Sequence, residues 1–496
     1  MYIGLDIGTS GTKAALVDKA GNVLQSCQVN YDFSNTKDGH RELDGDMVWE
    51  AVKTCLRQTG AEHMVKTITI SALGEAIVPV DKAGRPLCHS ILGTDIRGRE
   101  ELKRLTEAAG RERVLEITGQ NLSAIYSVNK ILWLKAHRKD IFDRAWKVFT
   151  FQDFIIYRLT GNAVIDYSMA SRTLLFDTNI MDWSEELLAL TGIKRELLSA
   201  ARPSGSRVGK LSGDVARELL LSEETEVIAG THDHICNALG CGVHQAGWCC
   251  NVVGTTEGLT AILKKEELPA ADVDRYQISR QPFAKENLYN TVAWNNTSGV
   301  LLRWFVQQFE KGTEGQEMTE RFASLNERMP DAPTDLYVLP HFSGAATPYM
   351  DVDSKGAVLG LTMDTKSEEL YRALMEGANY ELAFILECLR AAGVTVKTLV
   401  ASGGALSPEL LQIKADILGL PVLTVRNRQT GTLGGAILGA VAIGDYAAIE
   451  EASAHMVSFG QEYRPDPAKH AIYTQKLEIY KKIYPAVRDI NHKIGN

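Results

Sequence analysis

Short hydrophobic runs separated by glycine-containing turns open the chain. The run YIGLDIG at 2–8 is followed by the turn TSGTK and then by AALVDKAGNVLQSCQVNY, which holds a second turn at KAGN. Apolar runs of this length, bounded by Gly, Thr and Asn, are typical of β-strands joined by hairpin turns. The pattern therefore predicts an extended β-hairpin over residues 2–31.

Helical and extended patterns then alternate. GDMVWEAVKTCLRQTG at 45–60 has apolar residues at helical spacing, whereas VKTITISAL at 65–73 and AIVPVDKAGRPL at 76–87 are typical of strands. Near the end of the chain, HAIYTQKLEIYKKIYPAVRDI at 470–490 predicts one amphipathic helix. The alternation of strands and helices predicts the α/β fold class.

The strand–turn–strand pattern recurs at 247–263, in GWCCNVVGTTEGLTAIL. After it, residues 398–425 have the pattern strand, Gly-rich turn, helix and strand, and residues 430–446 have that of a helix of small residues. We interpret this as a weak internal repeat, since 496 residues are too many for one hydrophobic core. With no linker segment in the sequence, the boundary is predicted in a short connection, which gives domains 1–245 and 246–496.

Composition and charge argue against several classes of protein. The net charge is −9, the pI is about 5.8 and no basic run is present, so a nucleic-acid partner is not expected. The start MYIGLDIG has no basic lead, and no window approaches the ~18 apolar residues of a membrane span, so neither a signal peptide nor a membrane span is predicted. The eight cysteines lack framework spacing, which favours reduced thiols in the cytoplasm over a redox site.

The turn DIGTSGTK at 6–13 has the parts of a phosphate-binding loop. A carboxylate closes the strand, and the glycines that follow let backbone N–H groups approach an anion closely. Such a carboxylate can hold Mg²⁺ through water, as that ion prefers. A hairpin turn that uses Gly and Thr for conformation alone is the alternative. The residues predicted to bind the phosphates or their metal are Asp6, Gly8, Thr9, Ser10, Thr12 and Lys13.

Two further glycine-containing loops lie in the second half. VVGTTEG at 252–258 repeats the first loop, and ASGGALSP at 401–408 precedes a helix and would let a nucleotide lie against the backbone. Neither is a Walker P-loop or a G-x-G-x-x-G dinucleotide loop. One phosphate loop in each domain predicts a nucleotide held across a cleft. The residues predicted to bind it in this half are Gly254, Thr255, Thr256, Gly403, Gly404 and Ser407.

These loops belong to a pattern that runs nearly from end to end. It includes DFIIYRLTGNAVIDYSMASRTLLFD, GTHDHICNALGCGV, LPHFSGAATPYMD and LGGAILGAVAIG. The chain resembles FGGY-family carbohydrate kinases of the actin/Hsp70/hexokinase ATPase superfamily, and among them the xylulokinase-like members. The resemblance implies two actin-like (ribonuclease H-like) ATPase domains around a central cleft, the first with the sugar site and catalytic base, the second with the nucleotide site.

The resemblance also implies a reaction, in which the γ-phosphoryl group of MgATP is transferred to a hydroxyl of a small sugar. A ketose such as xylulose or ribulose is the leading substrate, with ATP and Mg²⁺ as cofactors. In the family pattern, Asp6 matches the magnesium-linked aspartate, and Asp233 matches the general base, which we also expect near the metal. A polyol or sugar-acid kinase, of the glycerol, erythritol or gluconate type, is the alternative, and a non-enzymatic actin-like nucleotide switch is a further one. A homodimer is compatible with the resemblance.

The stretch GTHDHICNALG at 230–240 places Asp233 between two histidines. A predicted strand leads to it and a predicted helix begins just after it, so its carboxylate could accept a proton from a sugar hydroxyl at the cleft edge. A zinc site would need His232, His234 and a cysteine to converge. Because the histidines are two residues apart on a predicted helix, we expect them to point away from each other. A helix cap is the structural alternative for the aspartate.

The sugar-contact segments depart from the family pattern. In SALGEAIVPVD, Glu75 takes the place of a histidine of xylulokinases, and Gly74 that of an arginine of glycerol kinases. In LGTDIRG, Gly93 replaces a tryptophan. Glu75 is interpreted as a substrate contact or, alternatively, as a salt-bridging carboxylate, and Trp294 as a stacking or a core residue. The residues predicted to contact the sugar are Gly74, Glu75, Asp95, Arg97, Asp233 and Trp294.

Overall fold

Two large mixed β-sheets, one from each half of the chain, organise the fold. In the computed structural model, which describes residues 1–36, 39–310 and 317–494, these sheets contain six and seven strands. Helices and smaller sheets pack around them. The predicted α/β class is confirmed.

The first half contains the elements up to Gly240. Its strands are β1 (Tyr2–Ile7), β2 (Gly11–Val17), β3 (Val23–Asn30), β4 (Ser34–Asn35), β5 (Arg41–Leu43), β6 (Thr67–Ala72), β7 (Val78–Val80), β8 (Ser90–Ile91), β9 (Lys147–Phe149), β10 (Val164–Asp166), β11 (Phe176–Asp177), β12 (Asp182–Trp183), β13 (Ala200–Arg202), β14 (Arg207–Lys210) and β15 (Glu226–His232). Its helices are α1 (Gly45–Gly60), α2 (Arg99–Ala109), α3 (Arg111–Thr118), α4 (Ser127–His137), α5 (Lys139–Phe142), α6 (Phe151–Thr160), α7 (Tyr167–Ser171), α8 (Glu185–Thr191), α9 (Gly213–Leu219) and α10 (Asp233–Gly240).

The second half begins with the strand at Trp248. Its strands are β16 (Trp248–Val253), β17 (Glu257–Lys264), β18 (Gln281–Pro282), β19 (Leu288–Asn295), β20 (Tyr337–Leu339), β21 (Ala357–Leu359), β22 (Thr398–Ser402), β23 (Val422–Val425) and β24 (Phe459–Tyr463). Its helices are α11 (Ala270–Tyr276), α12 (Gly299–Phe309), α13 (Met318–Arg328), α14 (Ser367–Ala391), α15 (Pro408–Leu418), α16 (Thr430–Ala442), α17 (Ile449–Met456), α18 (Pro467–Tyr480) and α19 (Ile483–Asn491).

The first large sheet has the strand order β14–β15–β6–β1–β2–β3. Strands β1, β2 and β3 form the antiparallel hairpin predicted for residues 2–31, with Ile7 opposite Thr12 across the first turn. Strands β6 and β15 continue the sheet in parallel to β1. Parallel neighbours require crossover connections, and α1 belongs to the first of them, with Asp44 capping its N-terminus.

The second large sheet, β18–β19–β17–β16–β22–β23–β24, repeats this plan. Strand β16 pairs antiparallel with β17, and β17 with β19, as β1 does with β2 and β2 with β3. Strands β22 and β23 follow in parallel, as β6 and β15 do. The internal repeat predicted from the two glycine-containing hairpins is confirmed.

Helix α16 belongs to the second half but packs on the first. It contacts α10, β1 and β6. Its backbone carbonyls at Thr430 and Thr432 lie so close to Gly240 and Gly4 that any side chain at either glycine would collide with them. The apolar side chains of α10 and α16 and residues of both large sheets form one shared hydrophobic core.

The prediction of one helix over residues 470–490 is wrong. Helix α18 ends at Tyr480, and α19 begins at Ile483. Pro485 lies in the first turn of α19, where its missing N–H costs nothing. In a continuous helix, its ring would collide with the carbonyl of Lys481. The proline therefore starts a new helix.

All eight cysteines are free thiols, as the sequence predicted, and seven of them are buried. Among the helices of the described residues, none has the length and apolar character needed to cross a membrane.

Candidate active site

The carboxyl ends of three parallel strands in the first sheet meet at one edge. Strand β1 ends just after Asp6, β6 leads into Gly74 and Glu75, and β15 leads into Asp233. In open α/β sheets, ligands bind outside this edge. The topology therefore brings together residues that are more than 200 positions apart in the sequence.

The loop after β1 is a tight turn in which the Gly8 N–H donates to the carbonyl of Gly11 at 2.9 Å. Thr9 and Ser10 are exposed at its tip, where their hydroxyls are free to meet a ligand. Thr12 is instead buried, with its hydroxyl 3.2 Å from that of Tyr31. Direct phosphate binding thus fits the tip of the loop better than Thr12.

The corresponding loop of the second sheet follows β16. The Gly254 N–H donates to the carbonyl of Thr256 at 2.9 Å, and Thr255 and Thr256 are exposed. A network below the loop fixes its end: Lys414 pairs with Glu257, and the Ser298 hydroxyl donates to the same carboxylate at 2.7 Å.

The turn after β22 approaches this loop from the side. Gly403 has a φ of +118° and lies against Val253, so that a side chain there would strike the backbone of β16. Apart from its two chain neighbours, no atom of the described residues lies within 4 Å of a Cβ built at Gly404, which leaves that position open to a nucleotide. Ser407 has a structural partner, since its hydroxyl accepts the Leu410 N–H as the cap of α15.

A cavity of about 510 Å³ opens between the two halves. A volume of this size is usual for small-molecule sites. Its walls come from the loops after β1, β6 and β15 on one side and from β16, β17 and β19 on the other. The residues predicted from the sequence that line it are Thr9, Gly74, Glu75, Asp233, Gly254, Thr256 and Trp294.

Asp233 is the first residue of α10, and 31% of its side chain is exposed. One carboxylate oxygen accepts the His234 N–H at 2.7 Å and lies 3.2 Å from Nε2 of His232. The expectation that the two histidines point apart is wrong, because their ring centroids are 5.1 Å apart. The reason is that His232 ends strand β15 and only His234 belongs to the helix.

The two histidines and Asp233 can present ligand atoms that all lie within 4.8 Å of one another, close enough to share a metal ion. No cysteine is part of this group within the described residues. Cys236, the nearest in sequence, accepts a hydrogen bond from the Thr231 hydroxyl at 3.1 Å. A zinc ion at this place would therefore be held by two histidines and an aspartate, and not by the cysteine expected from the sequence.

Burial dominates the electrostatics of the site. It raises the pKa of Asp233 to about 7, and the charge of Glu75 adds to the shift, against the His234 N–H and Arg172. Burial and then the charge of Asp233 raise the pKa of Asp6 to about 7, against Lys13 and Ser71.

The pKa values of the flanking histidines, His232 and His234, are shifted downward. Burial and the Arg172 charge lower the pKa of His234 to about 4 and that of His232 well below its usual range. Both imidazoles are therefore neutral at neutral pH, whereas the pKa values of Asp6 and Asp233 lie in the physiological range.

Family models match most of the chain. The N-terminal domain of the FGGY family of carbohydrate kinases matches residues 1–240, and its C-terminal domain matches residues 249–443. The chain belongs to the FGGY family of carbohydrate kinases. The resemblance identified in the sequence is confirmed, and the protein is an FGGY kinase that phosphorylates a sugar hydroxyl.

Relatives of this FGGY kinase are named for different substrates. A xylulose kinase of Bacillus subtilis (strain 168) is 28% identical over 99% of this chain and 97% of its own length. A glycerol kinase of Brevibacillus brevis is 28% identical over 90% of this chain and 91% of its own length. The crystal structure of a gluconate kinase from Lactobacillus acidophilus superposes with a TM-score of 0.88 at 25% identity, covering 98% of each chain.

Two of the predicted sugar contacts of this FGGY kinase are bound to each other. Arg97 donates through Nε to Asp95 at 2.8 Å, and a terminal nitrogen lies 2.8 Å from Glu42. Both Asp95 and Arg97 are buried, and neither is among the residues that line the cavity. Their direct contact with a sugar stays a prediction, and the geometry favours support of the 92–94 loop that does line the cavity.

Several cavity residues were not found from the sequence. Arg172, Tyr126, Asn121, Gln277 and Ser279 all line the cavity. The available signal was chemical, since Arg172 lies two residues before the apolar run LLF at 174–176 and an arginine buried beside such a run needs a partner. No spacing in the sequence identifies that partner.

The raised pKa values predict an acid limb in the pH profile. If Asp233 is the general base, kcat/KM for the sugar is expected to fall about tenfold or more per pH unit below about pH 7, because the protonated carboxyl group cannot accept a proton. Asp6 titrates in the same range, so the limb belongs to the pair of carboxyl groups. Steady-state rates at saturating ATP across this range test it, and a flat profile down to about pH 5 would contradict it.

Proposed function

We propose that this FGGY kinase transfers the γ-phosphoryl group of MgATP to a hydroxyl of a small ketose such as xylulose or ribulose, with Asp233 as the general base. One observation carries the proposal: Asp233 lines the same cavity as Thr9 of the first phosphate loop and Gly254 and Thr256 of the second. A sugar hydroxyl beside Asp233 would therefore face a phosphate held between the loops. The likeness to xylulose kinase of B. subtilis along 99% of this chain favours the ketose.

In the proposed reaction, the sugar hydroxyl oxygen forms a bond to phosphorus while its proton passes to Asp233. The bond from phosphorus to the oxygen that bridges the β- and γ-phosphates breaks, and ADP leaves. Because the transition state is loose, positioning and stabilisation of charge supply most of the catalysis. The backbone N–H groups of the loops after β1 and β16 are fixed dipoles suited to that task.

Asp6 and Asp233 are the residues that fit Mg²⁺. Burial raises the pKa values of both carboxyl groups, and the Asp233 charge adds to the shift at Asp6, so a bound cation would favour the ionised form of each. Carboxylate and water oxygens are the ligands that Mg²⁺ prefers. When bound, the ion neutralises charge on the phosphates.

The proposed division of labour follows the two halves. We place the domain boundary between residues 245 and 246, in the connection from α10 to β16. The first domain would supply the base and the sugar contacts at Gly74 and Glu75. The second would supply the nucleotide contacts at residues 254–256 and at Gly403 and Gly404. Two of its open positions, Thr255 and Gly404, have the exposure that such contacts need.

A screen of ADP release over ketopentoses, deoxyketoses, polyols and aldonates tests the proposal. A ketopentose is expected to give the highest kcat/KM and to stimulate ATP turnover above the rate without sugar. Preference for a polyol would support the glycerol-kinase alternative, and preference for an aldonate the gluconate-kinase alternative. Turnover that no compound stimulates would favour the nucleotide switch.

A further inference from the structure

Two of the departures from the family pattern, Glu75 and Gly93, lie side by side at the sugar end of the cavity. A Cβ atom built at Gly93 would lie 3.0 Å from Cβ of Glu75 and 3.2 Å from its Oε2. A tryptophan at position 93 would therefore need the space that the Glu75 side chain fills. Glu75 also has a φ of +65°, a backbone conformation that residues other than Gly rarely adopt. The surroundings hold this residue in place at some cost in backbone strain.

Arg172 is the partner of Glu75 within the cavity. Its Nε donates to Oε1 of Glu75 at 2.5 Å, and one of its terminal nitrogens donates to the same oxygen. The guanidinium carbon lies 5.0 Å from the centre of the Tyr126 ring, and the other terminal nitrogen reaches Oε1 of Gln120 at 3.4 Å. Arginine binds carboxylates through such a pair of N–H groups, and here both are already used.

The pair is largely removed from water. Only 11% of the Arg172 side chain and 13% of the Glu75 side chain are exposed, although both residues line the cavity. In surroundings of this kind, charges interact more strongly than in bulk water. The cavity wall thus carries a positive and a negative charge that cancel, and Oε2 of Glu75 lies in the space left by the missing side chain of Gly93.

We propose that the Glu75–Arg172 ion pair selects uncharged polyhydroxylated substrates and rejects sugar acids, an inference that rests on the proposed sugar kinase function. Oε2 of Glu75 accepts a hydrogen bond from a substrate hydroxyl. A substrate carboxylate in the same place is repelled by Glu75, and the Nε–H and terminal N–H of Arg172 that could hold it as a pair are already bound to Glu75. The site therefore discriminates by an unfavourable contact with the wrong substrate as well as a favourable one with the right substrate.

The proposal predicts a change of specificity on Glu75→Gln. The variant removes one negative charge with little change of shape and leaves Arg172 free to bind a carboxylate. We expect kcat/KM for the best uncharged sugar to fall about tenfold, because a charge-assisted hydrogen bond becomes a neutral one. We expect kcat/KM for an aldonate of the same length to rise about tenfold, so that their ratio changes about 100-fold.

Two further variants separate this effect from general damage. Glu75→Gln combined with Arg172→Met is expected to lose the gain toward the aldonate, because the cation that would bind it is gone. Glu376→Gln removes the carboxylate from another buried ion pair, with Arg372, outside the cavity. It is expected to leave the ratio of aldonate to uncharged sugar within about twofold of wild type, even if the protein is less stable.

Wild type alone provides a test that does not depend on the folding of any variant. An uncharged polyol should compete with the sugar, and an aldonate of equal length should compete at least about tenfold more weakly. Equal competition, or an unchanged substrate ratio in folded Glu75→Gln, would overturn the inference while the kinase function stands. Failure of every sugar, polyol and aldonate to stimulate wild type would instead overturn the proposed function.

Discussion

Replacing Asp233 with Asn is expected to lower kcat by about 10²–10⁴-fold in a protein that remains folded, as removal of a general base does. The amide keeps the size of the carboxylate but cannot take the proton of the attacking hydroxyl. Sugar affinity should change far less, because the amide can still form a hydrogen bond with that hydroxyl. A late proton transfer in a loose transition state would place the loss at the lower end of the range. Steady-state kinetics and a thermal melt on one preparation provide the measurement.

The same variant separates the base from its two alternatives. If His232, Asp233 and His234 hold zinc, elemental analysis should find metal in wild type and lose it in the variant. If Asp233 only supports the start of α10, the variant should lose about 1 kcal/mol of stability and keep its activity. Turnover within about threefold of wild type would remove Asp233 from the chemistry.

Replacing Lys414 with Met is expected to lower the free energy of unfolding by about 3–5 kcal/mol, because it leaves the buried Glu257 charge without its cation. Lys414 and Glu257 are almost completely buried, and the lysine also donates to Oδ1 of Asn379 at 2.9 Å. Glu257 directly follows the second phosphate loop, so the nucleotide KM should rise as well. Denaturant unfolding and ATP kinetics measure the two effects.

Two controls bear on this prediction. Lys414→Met combined with Glu257→Leu removes both charges and should recover most of the lost stability. Lys210→Met breaks an ion pair with Glu224 on the surface, where both side chains are at least 47% exposed, and should leave the stability almost unchanged. A Lys414 variant no less stable than the Lys210 variant would contradict the role assigned to the buried pair.

The sequence predicted the parts of the fold that local patterns encode. The hairpins at 2–31 and 247–263, helix α1 and the turn after β22 each carry their own apolar period and turn residues, and each is confirmed. The placement of Asp233 at a strand end before a helix also followed from such local signals. The single helix expected at 470–490 failed because an amphipathic pattern continues across Pro485, whereas the backbone does not.

Contacts between distant segments could not be predicted in the same way. Glu75 and Arg172 are 97 positions apart, and they meet because β15 pairs with β6 and also packs against α7. The orientation of His232 toward Asp233 depends on β15 continuing to His232, two residues beyond the predicted strand EVIAG at 226–230. The mutual bonding of Asp95 and Arg97 is local, but their burial depends on surrounding helices. For these residues, tertiary packing decides what a side chain faces.

Because α16 packs on the first sheet, we expect the first half of the chain to be poorly soluble when it is produced alone. A fragment ending near residue 245 would contain every strand of the first large sheet but would lack the helix that covers Gly4 and the face of α10. The uncovered apolar surface would favour aggregation of that fragment. Co-expression with the remainder of the chain would supply the missing helix and restore solubility. Although the two large sheets repeat one plan, we therefore expect the whole chain, and not either half, to fold as the cooperative unit.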